Sequence, residues 1–177
     1  MKFCSNCAAP IVHRIPPGDS LPRYLCIACG EIHYQNPKLI VGTLAEWEGR
    51  LMLCRRAIEP RYGYWTLPAG FMENGESTAE GAERETREEA GARITIGEAY
   101  SMISVPQANQ VHVFYRARLN DIDFAPGEES LEVALFAPDA IPWTDIAFKT
   151  VEMTLRHWIE DCNQGRFGFH TASLARP

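Results

Sequence analysis

Trp65-Thr-Leu-Pro-Ala-Gly70-Phe-Met-Glu-Asn-Gly-Glu76-Ser77-Thr-Ala-Glu80-Gly-Ala-Glu-Arg84-Glu85-Thr-Arg-Glu88-Glu89-Ala-Gly91-Ala92 contains a helix bracketed by its own caps. Ser77 followed three residues later by Glu80 is a capping box, which predicts a helix starting at Thr78. Gly91 supplies the left-handed stop at the far end. At about 100° per residue, Ala79, Ala82, Thr86 and Ala90 form a narrow stripe of small side chains that lets the helix lie close on a sheet. Glu85, Glu88 and Glu89 fall at i, i+3 and i+4, on one arc away from that stripe. Carboxylates crowded in this way repel, each pair costing a few tenths of a kcal/mol. Arg84 and Arg87 flank the cluster and relieve part of the repulsion. A hard divalent cation would relieve the rest, and magnesium, which takes oxygen ligands and keeps several waters, suits a site that also holds phosphates; manganese has the same preferences. A solvated acidic helix face is the bland alternative. The glycine-rich approach and the caps at defined distances weigh against it.

On either side of this segment the pattern is strand-like. Lys38–Glu46 is β-rich, Gly49 supplies a turn, and Arg50–Arg56 returns as the second arm of a hairpin. Val111, Val113, Tyr115, Ala117 and Leu119 alternate as a strand, and Tyr100–Val105 and Glu132–Phe136 are weaker strand candidates. Thr144 is placed to cap a last helix with Phe148, Val151, Leu155, Trp158 and Cys162 on its apolar face. Strands interleaved with a few helices predict a mixed α/β domain over residues 37–162, followed by a patternless tail over 163–177.

The first 36 residues read differently. Cys4-Ser-Asn-Cys7 and Cys26-Ile-Ala-Cys29, with 18 residues between the pairs, have ribbon spacing in which four thiolates reach one zinc ion. Ala8 and Gly30 follow the pairs and permit tight turns. Two disulfides or four unrelated thiols are the alternatives. Four protein ligands close the coordination sphere, so the zinc is structural. His13 and His33 are surplus to such a site. Residues 1–38 carry four Lys/Arg against two Asp/Glu, with Phe3, Tyr24 and Tyr34 as the aromatics, a poor platform for nucleic acid. Cys54 in a strand and Cys162 in a helix read as small core hydrophobes. Tyr34-Gln35-Asn36-Pro37 joins the ribbon to the main domain.

Composition agrees with a folded chain. It has 177 residues, 46% hydrophobic and 23% charged, which excludes a disordered or fibrous protein. A formal charge of 17 − 23 = −6 argues against broad attraction to nucleic acid or anionic lipid. No apolar run approaches the roughly 18 residues of a membrane span, and the start, Met1-Lys2-Phe3-Cys4, has no signal-like apolar region; a cytoplasmic location is expected.

The spacing of Gly70, Glu76, Arg84, Glu85, Glu88, Glu89 and Gly91 resembles the Nudix box, G-x5-E-x7-R-E-U-x-E-E-x-G-U, at every fixed position. Thr86 and Ala92 stand where that pattern has aliphatic residues, departures that concern packing. The resemblance implies a Nudix α/β/α sandwich around a mixed sheet, preceded here by a zinc ribbon. It implies hydrolysis of a nucleoside diphosphate linked to another moiety, with magnesium or manganese. Carried over position by position, Glu85 and Glu89 match metal-ligand carboxylates, and Glu88 a further ligand or water-orienting group. The main-chain carbonyl of Ala69 matches another ligand. Arg84 would hold a glutamate in place and Glu76 would support the loop. In the segment Gly127–Phe136, Glu129 matches the additional metal ligand of ribbon-bearing NADH pyrophosphatases, with Glu128 and Glu132 as alternatives and an acidic surface loop as the bland reading.

Over residues 3–160 the chain resembles plant chloroplast FAD and ADP-ribose pyrophosphatases. The ribbon-bearing NADH and NAD-capped-RNA group carries Ser-Gln-Pro-Trp-Pro-Phe-Pro after the box, where this chain has Met102-Ile-Ser-Val-Pro-Gln-Ala-Asn-Gln110. The expectation is cleavage of FAD, ADP-ribose or both with release of AMP. The alternatives are an NADH or NAD-capped-RNA pyrophosphatase, and a non-catalytic nucleotide-sensing module, against which the intact box glutamates weigh. The partner is then a small dinucleotide, not nucleic acid or membrane, and the resemblance implies a homodimer. For substrate contacts, Arg55 and Arg56 either meet phosphates or remain solvated at a strand end. Trp65 or Tyr62 either stacks on adenine or packs beside the box, and Gln110 is a candidate polar contact.

Overall fold

The helix anticipated between Ser77 and Gly91 spans Thr78–Ala90 (α1) in the computed structural model, which describes residues 1–175. Both halves of the capping box form: the Glu80 amide donates to Ser77 Oγ at 3.3 Å, and the Ser77 amide donates to Glu80 Oε2 at 2.7 Å. Gly91 adopts φ 60° and its N–H donates to the Arg87 carbonyl at 2.8 Å. Ala82, Thr86 and Ala90 of the expected stripe are buried, together with Gly81 and Glu89, while Ala79 is only half-buried. Thr86 is satisfied there: its hydroxyl donates to the Ala82 carbonyl at 2.8 Å and accepts from Thr43 Oγ1 at 2.7 Å. A polar residue is therefore tolerated at a position that is otherwise aliphatic, because a second threonine pairs with it.

The chain divides into two units between Pro37 and Lys38. The first holds a three-stranded antiparallel sheet of β1 (Ile11–Arg14), β2 (Arg23–Cys26) and β3 (Ile32–His33). The second contains β4 (Lys38–Trp47), β5 (Arg50–Arg56), β6 (Trp65–Thr66), β7 (Ala69–Phe71), α1, β8 (Ile94–Val105), β9 (Gln110–Leu119), β10 (Ser130–Phe136), α2 (Lys149–Gln164) and β11 (His170–Ser173). Its main sheet has the order β10-β5-β4-β9-β8-β11, with β6 on β5 and β7 on β4. β4–β9 and β8–β11 are parallel and the other pairs antiparallel, so the sheet is mixed. The β4–β5 hairpin closes through Glu48-Gly49, both at positive φ, the signature of a two-residue turn whose twist matches the strands.

The sheet is covered on both faces. Leu44, Leu51 and Leu53 pack with Val151, Leu155 and Trp158 of α2, while their neighbours Ala45, Met52 and Cys54 pack with Ala90 and Ala92 at the end of α1. Successive residues of β4 and β5 thus feed opposite cores, which gives the expected α/β/α sandwich.

Several expectations are corrected. The last helix starts at Lys149, and Thr144 lies in a short turn of 3₁₀-helix, Trp143–Asp145. Cys162 is exposed, because Asp161, one helical turn after Trp158, takes the buried position. Asp161 accepts from Tyr100 Oη at 2.9 Å, His170 Nε2 at 2.8 Å and the Gly168 amide at 3.3 Å. Those bonds pin the segment expected to be a patternless tail: α2 runs to Gln164, and His170–Ser173 pairs in parallel with Ser101–Ser104. Residues 176 and 177 of that tail lie outside the described residues. In β9 Ala117 and Leu119 of the expected alternating set are buried in one core, whereas nearer its start His112 and Phe114 are buried and Val111, Val113 and Tyr115 are half-buried, because Phe114 faces the other core. Among the described residues, no helix is long and apolar enough to cross a membrane.

Candidate active site

Arg84 organises the acidic face of α1. Its Nε and Nη2 donate to the two oxygens of Glu76 at 3.0 and 2.8 Å, Nη2 also to the Phe71 carbonyl at 3.1 Å, and Nη1 to Glu85 at 2.7 Å and Glu88 at 3.0 Å. All five N–H groups of the guanidinium are used. Glu76 accepts from the Glu73 amide as well, at 2.7 Å, and the guanidinium together with that amide lowers its pKa to about 2. One arginine therefore ties the loop before the helix to two of the three clustered glutamates.

Glu89 is placed differently. It is 7% exposed, and among the described residues its carboxylate takes one hydrogen bond, from the Ala69 amide at 3.3 Å. Burial raises its pKa to about 8, and Glu85 and Glu129 add to the effect. Burial likewise raises that of Glu85. Gly70 lies against the Glu85 carboxylate so closely that a Cβ there would overlap it. The first residue of the box can therefore only be glycine if Glu85 is to keep its place.

A cavity of about 1040 Å³ opens at this face. Glu85, Glu88, Glu89, Arg84, Ala69, Gly70, Glu128 and Glu129 line it, together with Arg56, Ile58, Phe148, Lys149, Gln107, Gln110 and His112. Arg56 sits with its guanidinium 5.0 Å from the Phe148 ring centroid, and its Nε donates to the Pro60 carbonyl. Of the substrate residues expected from sequence, Arg56 and Gln110 line the cavity. Arg55 and Trp65 are not brought to it. Arg55 donates to the Gly63 carbonyl at 2.9 Å and faces Glu132 at 3.7 Å, so Glu132 also points elsewhere. Trp65 packs edge-on against Phe136 at 4.8 Å. His112 and Thr150 line the cavity without having been singled out. A lone strand histidine reads as core, and its pairing with a threonine 38 residues away is a tertiary event.

An under-compensated buried carboxylate beside Glu85, Glu88 and Glu129 is the donor set a hard divalent cation needs. Oxygen ligands and an opposing charge are what the cluster lacks and such an ion supplies. The chemistry of these residues fits a hard divalent cation.

In the first unit, the ligand atoms of Cys4, Cys7, Cys26 and Cys29 lie within 4.8 Å of one another, with Cys4–Cys29 at 3.7 Å and Cys7–Cys26 at 3.5 Å. Zn–S bonds of about 2.3 Å give tetrahedral edges of about 3.8 Å, so the four sulfurs fit one zinc ion. Ala8 and Gly30 take positive φ, and their amides close the two knuckles on the Cys4 and Cys26 carbonyls at 2.9 Å. His33 stands outside the four thiols, with Nε2 3.3 Å from Cys4 Sγ.

A glycine-led loop, a capped helix with carboxylates facing a cavity, and a mixed sheet between helical layers define a Nudix-type domain. Comparison with known proteins agrees: the signature described as "Nudix N-terminal" matches residues 2–35, and that of the "NUDIX domain" matches residues 38–162. The chain belongs to the Nudix family. It is 30% identical over 158 residues to the NAD-capped RNA hydrolase NudC of Chromobacterium violaceum, a match covering 88% of this chain and 57% of that protein. It is 26% identical over 113 residues to the ADP-ribose pyrophosphatase of Methanocaldococcus jannaschii, covering 62% of this chain and 67% of that one. The chain spans about half the length of the NudC relatives it matches. The crystal structure of a NUDIX hydrolase from Nitrosomonas europaea is 52% identical, with a TM-score of 0.97 over 99% of this chain and 100% of that one.

Proposed function

We propose that this chain hydrolyses the diphosphate of a nucleoside diphosphate derivative, with FAD and ADP-ribose as the preferred substrates and AMP as a product. The observation that carries this reading is the buried Glu89 carboxylate, served by one long hydrogen bond, in the lining of a cavity that is also lined by Arg56, Lys149 and Gln110. Glu85, Glu89 and the Ala69 carbonyl would hold the catalytic cation, with Glu88 and Glu129 beside them. Magnesium or manganese held there would supply charge neutralisation for the diphosphate and would ease loss of a proton from the water that attacks phosphorus. Arg84 keeps Glu85 and Glu88 in position and is itself fixed by Glu76. Arg56 binds a phosphate, and Gln110 contacts the organic part of the substrate. The zinc held by Cys4, Cys7, Cys26 and Cys29 is structural in this reading.

The choice of substrate rests on the segment after the box. Val105, Gln107 and Ala108 line the cavity, and it is this stretch that departs from the Ser-Gln-Pro-Trp-Pro-Phe-Pro pattern of the NADH group. A second reading, hydrolysis of NADH or NAD-capped RNA, is favoured by the named activity of the Chromobacterium violaceum relative. The test is AMP release from FAD, ADP-ribose, NADH and NAD-capped RNA with magnesium or manganese, compared as kcat/KM, because discrimination resides in transition-state binding. Higher kcat/KM for FAD and ADP-ribose than for NADH is expected. Equal or better specificity for NADH or capped RNA transfers the assignment to the second reading. No cleavage of any of the four rejects both.

A further inference from the structure

Gln110 and His112 stand two residues apart on β9, on the same side of the strand, and both line the cavity. His112 is 9% exposed and Thr150, in the first turn of α2, 2% exposed. Thr150 Oγ1 lies 3.0 Å from His112 Nδ1, and His112 Nε2 lies 3.1 Å from Gln110 Oε1. These three side chains, from two elements, form one continuous chain of hydrogen bonds that ends in the cavity.

The placement of the Gln110 amide oxygen toward His112 Nε2 sets the direction of the chain. Burial lowers the pKa of His112 to about 4, so the ring is neutral at physiological pH and has one N–H donor and one acceptor. An amide oxygen can only accept, so Nε2 carries the hydrogen toward Gln110. Nδ1 is then the acceptor and takes the hydrogen of the Thr150 hydroxyl. With Oε1 engaged, Gln110 has its two amide N–H groups left for the cavity. A free glutamine would offer either end; this one offers a donor.

We infer that Gln110 is a substrate-binding residue, oriented by Thr150 through His112, whose amide N–H groups bind a hydrogen-bond acceptor on a heterocyclic base of the substrate. This rests on the reading of the cavity as the substrate site. The acceptor is either a ring nitrogen of the shared adenine or a carbonyl oxygen of the distal ring. Those two sources share the same chemistry, and ADP-ribose, whose distal group is a ribose without a base, separates them. Thr150 and His112 act through Gln110 and are positioning residues.

Two measurements test this. In the first, ¹⁵N-resolved NMR of the wild-type imidazole at neutral pH reads the His112 tautomer. The Nε2–H form is expected, and the Nδ1–H form overturns the inference, because it turns the amide around. In the second, FAD, NADH and ADP-ribose are compared in variants. Gln110→Leu is expected to raise KM about tenfold with little change in kcat, the effect of losing one hydrogen bond made equally in the ground and transition states. An equal loss on all three substrates supports the adenine as the acceptor. A larger loss on FAD and NADH than on ADP-ribose supports the distal ring. Thr150→Val should reproduce part of the loss and shift the tautomer, Thr150→Ser should restore both, and Thr150→Val should add little to Gln110→Leu. A KM within about twofold of wild type for every substrate in Gln110→Leu overturns the inference while the proposed function stands. An inactive wild-type protein removes the function and this inference together.

Discussion

The Gly127 amide donates to the Glu89 carbonyl at 2.9 Å, so the acidic loop before β10 is stitched to the last turn of α1. The Ala125 amide does the same for the Ala90 carbonyl at 3.0 Å. Carbonyls in a last turn have no partner within their own helix, and here a loop supplies the donors. Gly127 sits against the Glu88 carbonyl with no space for a Cβ. Glu128 and Glu129 reach the cavity because their loop is held this close to the helix that carries Glu85 and Glu89.

Gly127→Ala should therefore push the loop off the helix end. We expect a loss of stability of about 1–3 kcal/mol, as for other overpacked positions. The metal concentration giving half-maximal activity should rise, while bound zinc stays the same. Denaturation and a magnesium titration check this; unchanged values in both would show that the loop does not serve the site.

Glu89→Gln should separate stability from activity. Burial raises the Glu89 pKa to about 8 while the unfolded carboxyl titrates at about 4.3, so at neutral pH folding of the metal-free protein must take up a proton. An amide that cannot ionise removes that cost and should stabilise the metal-free protein by roughly 1–3 kcal/mol at neutral pH. Turnover should fall by orders of magnitude, because an anionic ligand is lost. Thermal melts in chelator and rates at saturating magnesium provide the measurement. Near-normal turnover would remove Glu89 from the ligand set.

The legible parts of this protein are those whose signals are local. Ser77, Glu80 and Gly91 define α1 within fifteen consecutive residues, and the α1 carboxylates that line the cavity follow from helical spacing alone. The four cysteines are legible for the same reason. β11 is not, because His170–Ser173 has no alternation and joins the sheet through Asp161 and a parallel pairing with β8. The first half of β8 is missed because register shifts between Ile96 and Ser101 break its period around Gly97 and Glu98. Arg55 and Arg56 look alike in sequence, yet alternation along β5 sends only Arg56 to the cavity. The Thr150–His112–Gln110 chain depends on where the start of α2 meets β9, which no local pattern encodes.

The depressed pKa of His112 gives stability a sign with pH. The folded state holds the ring neutral down to about pH 4, while an unfolded histidine protonates near 6.5. Between these values the unfolded chain binds more protons, so the contribution is fully present above about pH 6.5 and is lost as pH falls toward 4. The loss approaches about 3 kcal/mol at the lower limit. His112→Gln should flatten that part of the stability profile relative to wild type. Parallel profiles for the two proteins would refute the assignment.

Purified protein should carry about one zinc per chain, distinct from the catalytic metal. Thiolate coordination contributes roughly 10–16 kcal/mol in isolated zinc-binding peptides, so Cys26→Ser should unfold the first unit. Elemental analysis after purification under reducing conditions, together with NMR or proteolysis of the first 37 residues, tests both statements. Protein without zinc or iron would reject the ribbon assignment.

Arg84→Lys should be as damaging as a loss of charge would be, although it keeps the charge. The guanidinium spreads five donors over a plane and uses them on Glu76, Phe71, Glu85 and Glu88, at distances from 2.7 to 3.1 Å. A lysine offers three donors from one nitrogen and cannot bridge the loop to both glutamates. Glu85 would then keep its negative charge but lose the contact that orients it. We expect kcat to fall on the order of tenfold to a hundredfold, since charge-assisted bonds are the strong ones and two of them orient groups proposed to hold the metal. Excess metal separates two roles. If Arg84 only lowers repulsion among the glutamates, saturating magnesium takes over that work and restores kcat. If it positions Glu85 and Glu88, high magnesium restores occupancy and leaves kcat low. The second outcome is expected, and full recovery at high magnesium would reduce Arg84 to a charge that any cation could replace.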